Sequence, residues 1–91
     1  MSERAVTYRY RAAVLRALEA HGVRPRATTP PELVHEFVSD LYRFELRRLR
    51  GRLVRGEVAK ADYYGLVVAL RYQYPLVSLK PRQFLDEGRA E

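Results

Sequence analysis

The 91-residue chain has no cysteine, isoleucine, asparagine or tryptophan. Without cysteine there is no disulfide, no thiol nucleophile and no zinc site built on thiolates, so packing alone must hold the fold. The five glycines are scattered and form no phosphate-cradling loop. No apolar run reaches the roughly 20 residues of a membrane span, so no membrane role is expected. The opening MSERAVTYRYRAAV lacks an apolar core and a cleavage site, so we expect no secretory leader and a cytoplasmic location.

What is present describes a globular chain of one domain, 47% hydrophobic and 31% charged. Size scaling predicts burial of roughly 60 to 65% of its extended surface. The charge is +6, from 17 basic and 11 acidic residues, and nearly all the basic residues are arginine. Leucine and valine carry the aliphatic role. This bias fits a GC-rich bacterial genome, and scarce amides also suit a thermophile. Codon bias toward arginine would make the positive charge a weaker sign of an anionic partner. No internal repeat or low-complexity segment is visible.

The chain is organised around residues 29–55, TPPELVHEFVSDLYRFELRRLRGRLVR, which read as one long helix. Thr29 is a suitable N-cap, Pro30 suits the first helical position, and Glu32 is spaced to close a capping box. Leu33, Val34, Phe37, Val38, Leu41, Tyr42, Phe44, Leu46, Leu49 and Leu53 follow at three-and-four spacing, predicting a broad buried face. Gly56 can take positive φ just past the end. At 1.5 Å per residue the rod would be roughly 39 Å long. Along its buried arc stand Glu45, Arg48 and Arg52, spaced to touch one another. Either the helix leaves the core near residue 45, with burial passing to Leu46, Leu49 and Leu53, or the three form a partly buried ion cluster. Because buried charges must offset a large desolvation cost, the first is expected.

Residues 3–21 read as a first helix, capped by Ser2, stopped by Gly22, and buried along Val6, Tyr10, Ala13, Val14, Ala17 and Leu18. Tyr8 and Leu15 fall on its far side. A proline-bearing connector, residues 22–28, leads into the long helix. A short turn then opens a third helix over residues 59–73, stopped by Pro75 and expected to lie antiparallel to the second. Its inner face is Tyr63, Leu66, Val67, Leu70 and Tyr74; a second stripe, Tyr64, Val68, Arg71 and Tyr72, points elsewhere. Gly65 costs about 1 kcal/mol against alanine, suggesting a close helix crossing. The tail should run extended through Leu76, Val77 and Leu79, then turn helically from Pro81 through Phe84 and Leu85 to Gly88. Leu76, Leu79, Phe84 and Leu85 would fold back over the bundle, with residues 89–91 frayed. The fold class is thus all-α: three main helices in a small domain, with a long antiparallel helical hairpin and a short C-terminal helical turn.

Chemistry is sparse. Glu32 and His35 form one Glu-x-x-His unit, with Glu36 and Asp40 beside it, but carboxylate-bridged metal sites need two such units. A simpler reading has Glu32 and Glu36 favouring the helix dipole and His35 solvated. No second histidine completes a zinc-protease motif. Glu45 beside two arginines would stay ionised and make a poor base. We expect no catalytic residue, no cofactor and no metal. Arg43, Arg47 and Arg50 line the outer face of the long helix, extended by Arg24 and Arg26. This stripe could bind nucleic-acid phosphates, or be a solvated face paired to acids. No defensible helix-turn-helix accompanies it. The surplus of tyrosine, arginine and aliphatic residues off the core stripes suits protein interfaces. The leading expectation is a non-enzymatic interaction module, homo-oligomeric or bound to another protein; the alternative is a nucleic-acid-binding accessory protein.

Overall fold

A computed structural model describes residues 6–86 and shows an all-α domain. Helix α1 is Ala12–Glu19, α2 is Pro31–Val54 and α3 is Lys60–Tyr72; 3₁₀ turns follow at Pro75–Ser78 and Pro81–Phe84. The expected Ser2 cap, the Gly88 stop and residues 89–91 lie outside the described residues.

The first helix begins later than expected. Residues 6–11 are extended, with Tyr10 and Leu85 forming an antiparallel bridge. On its two sides Arg11 donates its backbone N–H to Phe84 at 2.9 Å and Asp86 donates to Arg9 at 2.8 Å, while Tyr8 donates to Ala27 at 2.7 Å. The segment VTYRYR alternates apolar and polar residues, a two-residue period that fits an extended chain as well as its spacing fits a helix; pairing with the distant C-terminal segment decides the matter. Val6 is consequently exposed; on α1 Ala13 is exposed too, whereas Val14 and Leu18 are buried, and Tyr8 packs against the core. Gly22, at φ +75°, ends the helix region. Its N–H reaches Glu19 and the Val23 N–H reaches Leu18, the paired bonds of a Schellman motif. Gly56 does the same for α2, with the Glu57 N–H on Arg52.

Helix α2 is unbroken over its 24 residues, about 36 Å. It starts one residue later than the sequence suggested. Pro30 is the N-cap and Pro31 the first helical residue, with no side-chain cap. The capping box does not form, because the Thr29 hydroxyl accepts the Arg26 N–H at 2.9 Å instead. Val34, Val38 and Leu49 are buried, but Leu33, Phe37 and Phe44, expected in the core, are about half exposed. The arc from Leu33 to Leu46 covers roughly 220° of the wheel at 100° per residue, more than the neighbouring segments cover.

The main core gathers Val14 and Leu18 of α1, Val34 and Val38 of α2, and Tyr10, Tyr74, Leu76 and Phe84. Phe84 and Leu18 are fully buried. The C-terminal segment does fold back, but residues 75–78 form a 3₁₀ turn where an extended run was expected. Pro75 opens that turn, its fixed φ being suited to a first helical position. Leu79 and Leu85 pack partly against the same core. Both histidines hold this lid. The His21 Nε2–H donates to the Gln73 carbonyl at 2.7 Å, and the ring stacks on Tyr74 at 4.2 Å. His35, expected in solvent, is half-buried, donates from Nε2 to the Val77 carbonyl at 3.3 Å and leans on Phe84.

Candidate interaction surface

Beyond the core, α3 and the second half of α2 build an arm. Its inner residues are few: Leu49 and the turn residue Val58 are buried, while Leu46, Leu53, Tyr63, Val67 and Leu70 are only half-buried. Helix α3 contains no buried residue. Tyr42 of α2 meets Tyr74, just past α3, at 5.4 Å between rings, which ties the arm to the core. At Gly65 the expected close crossing is missing, since a Cβ there would meet nothing within 4 Å.

The tyrosine row lies on α3 opposite its α2-facing residues. Tyr64, Val68 and Tyr72 follow one another at four-residue spacing, and Arg71 joins their flank. Tyr64 is 76% and Tyr72 80% exposed, and Val68 between them is half-buried. A second exposed apolar strip, Leu33, Phe37 and Phe44, runs along α2 on the side away from Leu46; the Arg48 guanidinium lies 6.0 Å from the Phe44 ring centre.

Compared with models of protein families, with curated proteins and with solved structures, the chain matches none.

Two grooves flank the seam between α2 and α3. One, of about 320 Å³, is lined by Glu45, Arg48 and Arg52 against Leu66 and Leu70. These three charges do not form one buried cluster. Arg48 reaches Glu45 at 4.0 Å, Arg52 turns to Glu57 at 3.9 Å, and all are partly exposed. Arg55 also reaches Glu57, at 2.8 Å. That hydrogen bond and the Arg55 charge lower the pKa of the Glu57 carboxyl, with Arg52 contributing, and the same bond and the Glu57 charge raise that of the Arg55 guanidinium. The other groove, of about 420 Å³, has Leu46, Tyr63 and Val67 between Arg47 and Arg50 on one wall and Tyr64 on the other.

The arginine stripe of α2 is divided by this arrangement. Arg43 is bonded to Asp40, whereas Arg47 and Arg50 point into the second groove with no ion pair among the described residues. Of the connector arginines, Arg24 pairs with Glu19 at 3.0 Å and Arg26 is exposed; neither lines the groove. The Glu32–His35 pair forms no metal cage, the His35 Nε2 being bonded to Val77. No group of three or more His, Asp or Glu side chains among the described residues is placed to hold a metal.

Proposed function

We propose that this protein is a non-enzymatic interaction module that self-associates through its α2–α3 arm, most simply as a homodimer. The observation carrying this is the absence of any buried residue in α3. A helix of 13 residues is marginal alone in water and draws its stability from packing an apolar face. Here one face packs thinly on α2 while the other displays Tyr64 and Tyr72. A second copy laid along that row would bury both tyrosines and give the arm the third and fourth helices of a bundle. Tyrosine and arginine at the centre of such a contact are the residues that carry binding energy.

Sedimentation equilibrium over a range of concentrations tests this. We expect a dimer that the double variant Tyr64→Glu/Tyr72→Glu converts to a folded monomer, since both positions are exposed and tolerate charge within one protomer. A wild-type chain that stays monomeric at high concentration removes the proposal. The nucleic-acid reading rests on Arg43, Arg47 and Arg50. Against it weigh the pairing of Arg43 with Asp40 and of Arg24 with Glu19, which leave a short run of free cations.

A further inference from the structure

The geometry points to a second docking site on the same arm: the groove between Leu46, Arg47, Arg50, Tyr63, Tyr64 and Val67 takes an acidic amphipathic helix of a partner protein. The inference rests on the arm being an interaction surface; the groove shares Tyr64 with the self-association row but draws its floor and cations from other residues and takes a different occupant.

Three observations choose that occupant. First, the floor is apolar: Leu46, Tyr63 and Val67 are each only half-buried, so they are left unfinished by the fold. A helix laid in a groove fills such a floor with residues spaced three and four apart. Second, the charge on the wall is uncompensated. Arg24, Arg43, Arg48, Arg52 and Arg55 each have an acid within ion-pair distance; Arg47 and Arg50 have none among the described residues. No acidic side chain lines the groove. The partner must bring the carboxylates, and guanidinium forks suit them well. Third, a second copy is the poorer fit, because the chain carries a net charge of +6 and Glu19, Asp40, Glu45 and Glu57 are already paired, which leaves only the scattered Glu32, Glu36 and Asp62 as exposed acids without an ion pair among the described residues. A nucleic-acid backbone would use Arg47 and Arg50 but leave the apolar floor empty.

Fluorescence anisotropy with two labelled synthetic helical peptides tests the site, both with leucines at three-and-four spacing, one flanked by glutamates and the other by lysines. We expect the glutamate peptide alone to bind, with affinity that falls as salt rises. Arg47→Glu/Arg50→Glu should weaken it by about tenfold or more, and Val67→Asp should do so through the floor. The charge-reversal variant should keep the wild-type circular dichroism and the wild-type sedimentation behaviour. Binding of neither peptide at low salt, equal binding of both, or undiminished binding to the charge-reversed protein overturns the proposal. So does tighter binding of single-stranded or duplex DNA than of the glutamate peptide. If Arg47→Glu/Arg50→Glu also dissolves the dimer, the groove belongs to the self-association face and the proposal fails. A monomeric wild type that binds the glutamate peptide would remove the dimer and keep the groove.

Discussion

Phe84 lies near the C-terminal end of the described chain, yet it is fully buried and touches the ring of His35. Phe84→Ala should therefore cost about 3 to 5 kcal/mol, read as a lower urea midpoint. Tyr10 and Tyr74 are also residues on which the core turns. The Tyr10 hydroxyl donates to the Thr29 carbonyl at 2.6 Å, and burial, helped by Tyr8 and Glu32, raises its pKa above the usual 10.0. Burial raises Tyr74 likewise, with Glu45 adding to the effect. Because the folded values lie above the unfolded one, this stability is fully present below pH about 10 and is lost as pH rises through the folded values. We expect cooperative loss of ellipticity at alkaline pH, shallower in Tyr10→Phe. A slope unchanged by that substitution would contradict the assignment. The two histidines show what a single residue in sequence conceals. Their partners, the carbonyls of Gln73 and Val77, lie 52 and 42 positions away, and no local spacing announces them.

At the level of the element, the long helix and its C-terminal end were readable because their signals are local, a glycine at positive φ beyond the end and unbroken three-and-four spacing before it; its start was misplaced by one residue, because the Thr29 hydroxyl serves the Arg26 N–H and not the helix. The first helix was readable only from Ala12 onward. Residues 6–11 carry a pattern compatible with either helix or extended chain, and a bridge to Leu85 settles it. The width of the apolar arc on α2 was a legible warning, since no single neighbour could cover Leu33 and Leu46 together. That same width supplies the groove and the strip at Leu33, Phe37 and Phe44. Both stripes of α3 were visible in the sequence. The groove was not, because Leu46 and Val67 come to line one groove only when α2 and α3 are paired. Gly65 offers a test at this scale. It sits inside α3, with open space where a Cβ would stand, so Gly65→Ala should stabilise the protomer by about 0.5 to 1 kcal/mol, seen as a rise in melting temperature at low protein concentration.

Taken whole, the molecule is elongated, 59 × 30 × 18 Å with a radius of gyration of 16.9 Å, against about 12 Å for a compact chain of this length. The core occupies one end and the arm the other. This division predicts separable losses. Tyr64→Glu/Tyr72→Glu should abolish self-association while leaving the monomer's unfolding free energy, read from urea titration, within about 0.5 kcal/mol of wild type; Phe84→Ala should do the reverse, weakening the fold before the contact. A tyrosine double variant that unfolds would place those rings in the protomer's own packing. The bridge between Tyr10 and Leu85 has one more outcome, in time instead of space. During synthesis the ribosome makes α1, α2 and α3 before Phe84 and Leu85, so the main core cannot be completed until those two residues emerge. A chain halted short of Leu85 would leave Val14, Leu18 and Val38 without the phenylalanine that covers them.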